Sequence, residues 1–159
     1  MDLTVEAFKK NYLVVGLSDD DVKKVMTLAS VCVFQPGQEI VTLGARDLDI
    51  FIVLSGQATV LRKGGALLGT AAPGAVIGEV ALLDNQARSA TVMARTGVVT
   101  CARIDGNDLR RFIGQNKEIG FVMVTNIARI LAKRLREASE SIEDLRGQVA
   151  DMWIYKDQK

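Results

Sequence analysis

The sequence predicts a mainly β fold with flanking helices: an antiparallel eight-stranded jelly-roll barrel with helices before it, one short helix within it and a long helix after it. Three observations carry this reading. Ten of the 14 glycines and both prolines lie between Pro36 and Gly106, so chain breakers crowd the middle and leave the flanks. Within that middle, short β-branched runs alternate with turn signals. The flanks instead carry apolar residues at helical spacing. So many short strands, without helices long enough for parallel crossovers, call for antiparallel pairing in a barrel or jelly roll. A chain of 159 residues bounds the whole to one domain, residues 1–159, with helices over 1–30, the barrel over 31–106 and helices over 107–159.

Residues 4–29 carry the first helical signal. Ser18 suits an N-cap, Asp19, Asp20 and Asp21 suit the positive first turn, and Val22, Val25, Met26 and Ala29 share a face, which predicts a helix over 19–29. As cap and first turn, the three aspartates need no metal ion. Strands follow at VCVF (31–34), EIVTL (39–43), DIFIVL (49–54), SGQATVLR (55–62), SATVMA (89–94) and VVTCARI (98–104), with QPGQ and the Gly64-Gly65 pair as turns. Cys32 and Cys101 stand far apart in the sequence and read as small core residues, with no thiol pair for metal or redox chemistry by spacing.

After Asn107 the pattern returns to helix. Phe121, Val124, Ala128, Leu131, Leu135, Ala138, Ile142, Leu145, Val149 and Met152 are spaced alternately by three and four residues, a heptad seam. Up to Leu131 the apolar face, with Phe121, Val122, Ile127 and Ile130, is wide enough to lie on the chain's own barrel. Beyond Leu131 the stripe narrows, with Leu135, Ile142 and Val149 at a positions and Leu145 at a d position, which predicts a parallel two-stranded coil and hence a homodimer. Trp153 and Tyr155 could stack on a purine; the preferred reading is that they end this coil or contact a partner.

Composition narrows the function. Lys and Arg number 20 against 19 Asp and Glu, a net charge of +1, without the basic excess that non-specific nucleic-acid binding uses. Histidine is absent, which removes histidine triads and two-histidine zinc motifs, and no nucleophile stands beside a base, so no enzymatic activity and no catalytic residue is expected. No apolar run approaches the roughly 18 residues of a membrane span, and residues 1–10 do not resemble a signal peptide. A cytoplasmic protein without membrane or nucleic-acid partners is expected.

The stretch PGAVIGEVALLDNQARSATV, residues 73–92, breaks the β pattern. Gly78 to Leu83 can form one or two helical turns, stopped by Asp84 and Asn85. The first N–H groups of such a helix lack partners, and Gly78 would let an anion approach them. Arg88 could return beside the same spot and pair with a phosphate through two N–H groups. Glu79 near a phosphate is repulsive unless it accepts a hydrogen bond from a ligand hydroxyl, as beside a ribose. Phosphate and ribose together indicate a nucleotide.

Gly78-Glu79-Val80-Ala81-Leu82 followed by Arg88-Ser89-Ala90-Thr91 resembles the phosphate-binding cassette of cyclic nucleotide-binding domains. Pro36-Gly37-Gln38-Glu39-Ile40 resembles that family's first turn, and Asp49-x-Phe51 with Gly56 its next strand pair. The C-terminal helix is similar to the dimer helix of the bacterial catabolite activators across Leu131-Ala132-Lys133-Arg134-Leu135 and Ser139-Glu140, although their DNA-reading half has no counterpart before Lys159. The resemblance implies that Glu79 holds the ribose 2′-hydroxyl and Arg88 the cyclic phosphate. It implies backbone contacts from Gly78, Val80 and Ala81, a phosphate or base contact from Ser89, and a base contact from Ser139. Asp49 would steady the arginine. Ala138 stands where the activators carry threonine, which weakens the base contact. The implied ligand is cyclic AMP, with cyclic GMP as the second candidate, and there is no metal or other cofactor. The implied function is a sensor acting on an unidentified downstream protein; the alternative is a ligand-free adaptor that dimerises and docks.

Overall fold

Ser18 accepts a hydrogen bond from the Asp21 amide at 3.2 Å and so caps α2, Asp19–Met26, as the sequence predicts. The computed structural model describes residues 3–156, with side chains described as far as Arg146. Before α2 come α1, Val5–Lys9, and a 3-10 turn over Tyr12–Val14. The three aspartates are engaged by lysines: Asp19 by Lys9 at 2.6 Å, Asp20 by Lys23 at 3.1 Å and Asp21 by Lys24 at 2.8 Å. Helix α2 ends at Met26, short of the expected Ala29. Ala29 instead opens β1, Ala29–Phe34, because the ladder to β8 runs back to an Ala29–Ile104 pair and takes that residue into the sheet.

The remaining strands are β2 (Glu39–Val41), β3 (Ile50–Ser55), β4 (Ala58–Leu61), β5 (Leu67–Ala71), β6 (Val76–Ile77), β7 (Thr91–Met93) and β8 (Val99–Ile104). Helix α3, Glu79–Asp84, falls between β6 and β7, and α4 (Gly106–Gln115) and α5 (Lys117–Lys156) follow β8. β5 and β6 are absent from the strand runs read in the sequence. LLGTA contains a glycine and a single β-branched residue, and VI is too short to show a period. The strands form two four-stranded antiparallel sheets, ordered β1-β8-β3-β6 and β2-β7-β4-β5.

One hydrophobic cluster draws on both sheets: Phe51, Val53, Ile77, Val99 and Cys101 from the first, Val41, Ala58, Ala71 and Val92 from the second. Phe34 and Phe51 meet edge to face within it, ring centroids 5.9 Å apart. The other face of β3 and β8 is buried as well, through Ile50, Ile52, Ala102 and Ile104, as expected of the two inner strands, of which β3 is almost continuously apolar. Cys32 and Cys101, distant in sequence, are directly opposed in the β1–β8 register.

The chain divides into two units, Met1–Asn126, which holds both sheets, and Ile127–Lys159, which is helical as far as Lys156. In the first unit the start of α5 buries Ile119, Met123 and Asn126, whereas Phe121 is 75% exposed. This corrects the expectation that Phe121 packs on the chain's own β-domain. The reason is polar: Asn126 donates to the carbonyls of Val15 at 2.8 Å and Leu13 at 3.3 Å, which fixes the rotation of the helix and turns the 119–123–126 stripe inward. In the second unit Leu135, Ile142 and Leu145 of the heptad seam are exposed. The side chains of Val149, Met152, Trp153 and Tyr155 lie outside the described residues. Among the described residues no helix is long and apolar enough to cross a membrane.

Candidate functional site

β6 delivers the chain to the site through its pairing with β3, Phe51 opposite Ile77 and Ile52 opposite Val76. At Gly78 the backbone turns into the left-handed region, φ +97°, and α3 begins. Asn85 closes α3 at φ +58°, a conformation that its short polar side chain tolerates, and its amide donates to the Ala81 carbonyl at 3.0 Å. Glu79 is 3% exposed and Ala81 and Leu82 are buried, while Val80 is half-buried. A carboxylate buried to this extent is rare unless it is paired, and Glu79 is engaged by a neighbouring group.

Arg88 returns beside Gly78. Its own backbone is fixed on both sides, the amide donating to the Ala45 carbonyl at 2.8 Å and the carbonyl accepting from Gly44 at 3.0 Å. The residue is 4% exposed. Nη1 donates to the Gly78 carbonyl at 3.2 Å, and Nη2 to the Asp49 carbonyl at 2.7 Å and to the Asp47 carboxylate. Its Nε is buried without a hydrogen-bond partner. A Cβ at Gly78 would collide with Nη1 and stand 2.5 Å from the Asp49 carbonyl oxygen. The sequence suggests that Gly78 is small to admit an anion; in the structure the space that it leaves is taken by the Arg88 guanidinium. Both the positive φ and that guanidinium exclude a side chain here.

Asp49 does not act as the resemblance implies. Its carboxylate pairs with Arg103, Nε to Oδ2 at 2.6 Å, and only its backbone carbonyl reaches Arg88. The carboxylate on Arg88 belongs to Asp47. Burial pushes the Asp47 carboxyl up, but the hydrogen bond and charge of Arg88 outweigh it and hold the group below the usual carboxylate range. Asp47 and Asp49 stand two residues apart ahead of β3, and their spacing alone does not tell which carboxylate meets Arg88.

A second arginine was also missed. Arg110 of α4 donates from Nε to the Leu82 carbonyl at 3.1 Å, from Nη2 to the same carbonyl, and from Nη1 to Asn85 Oδ1 at 3.3 Å. It satisfies the Leu82 carbonyl near the end of α3, where the helix lacks internal donors, holds the Asn85 side chain, and ties that end to α4. Nothing in the sequence spacing of Leu82 and Arg110 announces this.

Ser89 is exposed next to Arg88. Ser139 belongs to the second unit, exposed on α5, with its hydroxyl donating to the Leu135 carbonyl at 2.9 Å. The structure thus brings Gly78, Glu79 and Arg88 together around α3, with Val80 and Ala81 in its first turns and Ser89 adjoining.

The model of the family described as cyclic nucleotide-binding domain matches residues 31–116, which include every one of these residues except Ser139. Glutaminase 1 of Bradyrhizobium diazoefficiens is 32% identical over 133 residues, 84% of this chain and 21% of that protein. The chain spans about a fifth of the length of the curated relatives it matches. Among solved structures, the Thermus thermophilus catabolite activator protein is 27% identical, with a TM-score of 0.73 over 85% of this chain and 63% of that one. A cyclic nucleotide-binding domain from Methylobacillus flagellatus, 19% identical, shares the fold with a TM-score of 0.77 over 87% of this chain and 82% of that one. With more than half its length matched by the family model and the cassette residues gathered at α3, the chain belongs to the cyclic nucleotide-binding domain family.

Proposed function

We propose that this chain is a cyclic nucleotide sensor that prefers cyclic AMP and passes its state through the C-terminal helix to a second copy of itself or to another protein. The observation that carries the reading is Arg88, a guanidinium almost wholly buried whose Nε still lacks an acceptor. A buried donor left unpaired costs about 1–3 kcal/mol, which a cyclic phosphate would relieve while adding a charge-assisted bond. Glu79 takes the ribose 2′-hydroxyl, the backbone of Gly78, Val80 and Ala81 lies along the ligand, Ser89 meets phosphate or base, and Ser139 meets the base. The two sheets are read as the halves of a jelly roll around their shared core.

A cyclic phosphate carries one negative charge, which Arg88 matches. Linear AMP brings an additional charge close to Glu79 and is expected not to bind usefully. A serine hydroxyl can accept from adenine or donate to guanine, so discrimination is modest. Ser89 lacks the methyl group with which a threonine fixes its hydroxyl for guanine, which favours cyclic AMP over cyclic GMP by roughly tenfold, about 1.4 kcal/mol. The exposed apolar seam through Leu135, Ile142 and Leu145 supports a homodimer.

The Asp47–Arg88 pair favours a second reading, since a chain that already neutralises its cassette arginine could serve as a ligand-free adaptor. Melting the protein alone and with cyclic AMP separates the two. A sensor is stabilised in proportion to ligand excess, by about 2.7 kcal/mol at a hundredfold over Kd. An unchanged melting curve at millimolar cyclic AMP and cyclic GMP would leave the adaptor.

A further inference from the structure

We propose that Cys32 and Cys101 form an oxidation site, in which a hydroperoxide converts the two opposed thiols into a disulfide across β1 and β8. The inference is independent of nucleotide binding and rests on register. Cys32 and Cys101 are direct partners in the antiparallel ladder, so both side chains project from the same face of the sheet, Cys101 within the shared core and Cys32 packed against it. Directly opposed residues have Cα atoms about 4.5 or 5.5 Å apart, and a disulfide spans about 4.4–6.8 Å. The Cys32 thiol already lies over its partner, donating to the Cys101 carbonyl at 3.5 Å.

One of the two thiols can be reached. Cys32 is half-buried and lines a cavity of about 410 Å³ with Phe34 and Phe51 inside and Asp47, Asp49 and Arg103 among its polar residues. A small uncharged oxidant such as hydrogen peroxide fits this cavity. Burial raises the Cys32 thiol, with the Arg103 cation working against it, whereas burial pushes Cys101 up to about 12. Cys32 is therefore the attacking thiol and Cys101 the resolving one, and the reaction is slow at neutral pH.

In the first step the Cys32 sulfur attacks one peroxide oxygen, the O–O bond breaks, and hydroxide leaves with the thiol proton as water, giving a sulfenic acid. The Cys101 sulfur then attacks the Cys32 sulfur, the S–O bond breaks, and a second hydroxide leaves with the Cys101 proton as water. Two thiols and one peroxide become one disulfide and two waters, with sulfur oxidised and oxygen reduced.

The test is prolonged incubation of the full chain with hydrogen peroxide under native conditions, alkylation after denaturation, and intact mass with peptide mapping. The expected product has lost two hydrogens, takes no alkyl group, contains the Cys32 peptide joined to the Cys101 peptide, and reverts with dithiothreitol. It keeps its native circular dichroism and melts higher than the reduced protein, because the link closes a long loop of the unfolded chain. The Cys101→Ser variant should instead stop at oxidised Cys32. Recovery of two alkylated cysteines, over-oxidised Cys32 beside a free Cys101 in the unaltered chain, disulfides only between chains, or a link that forms only with loss of the native spectrum would each overturn the proposal.

Discussion

The α3 site and the C-terminal helix are unfinished in opposite ways. At α3 the buried groups are polar: Glu79 and Arg88 lie inside the first unit, and Arg88 donates to Asp47, the Asp49 carbonyl and the Gly78 carbonyl while its buried Nε has no hydrogen-bond partner. On the helix the groups without cover are apolar, with Leu135, Ile142 and Leu145 of the seam exposed. A buried donor without an acceptor calls for a charged ligand, and an exposed apolar stripe calls for another apolar surface. The two regions therefore predict partners of different chemistry.

The largest separation comes from the seam. Ile142→Asp with Leu145→Asp would bury charges against an apolar partner helix and should convert dimer to monomer at micromolar concentration, with nucleotide-induced stabilisation retained. Light scattering on the unaltered protein comes first; a monomer with and without nucleotide would remove the coil and leave the stripe as a docking surface for a different protein.

Arg110 tests how firmly α3 must be held. Arg110→Leu removes the donors that close α3 onto α4 and should weaken cyclic AMP binding by about five- to thirtyfold, for a loss of about 1–2 kcal/mol. Amide exchange in residues 79–85 should rise in the same variant. Unchanged affinity and exchange would mean that α3 holds its shape without the clasp.

The smallest effect concerns Asp47, whose side chain is half exposed. Its folded carboxyl ionises below the usual value of about 3.9, so the pair with Arg88 contributes stability above that pH and loses it as pH falls through the lower folded value. Asp47→Asn should therefore flatten the loss of stability in acid below about pH 4. It should also tighten cyclic AMP binding slightly, because the phosphate no longer competes with a carboxylate for Arg88. An unaltered acid profile together with weaker binding would contradict this assignment.

How much of this was legible in the sequence follows the same division. Gly78, Glu79 and Arg88 could be read because their chemistry is explicit and their spacing short. The α2 cap at Ser18 and the major strands could be read because local pattern decides them. Asp47 was passed over for Asp49 because the choice depends on which carboxylate faces the returning Arg88, a matter of tertiary geometry. Arg110, Asn126 and the Cys32–Cys101 opposition depend on residues distant in the chain, and no local period records such pairings. The rotation of α5 was misread for the same reason: the polar grip of Asn126 outweighed the hydrophobicity of Phe121.

The central claim is that Arg88 is kept buried for a cyclic phosphate, and calorimetric titration of cyclic AMP into the unaltered chain and into Arg88→Ala tests it most directly. The expected result is one site per chain in the unaltered protein and about a hundredfold weaker binding in the variant, with the fold intact by circular dichroism. An Arg88→Ala protein that binds cyclic AMP as tightly as the unaltered chain would contradict the account.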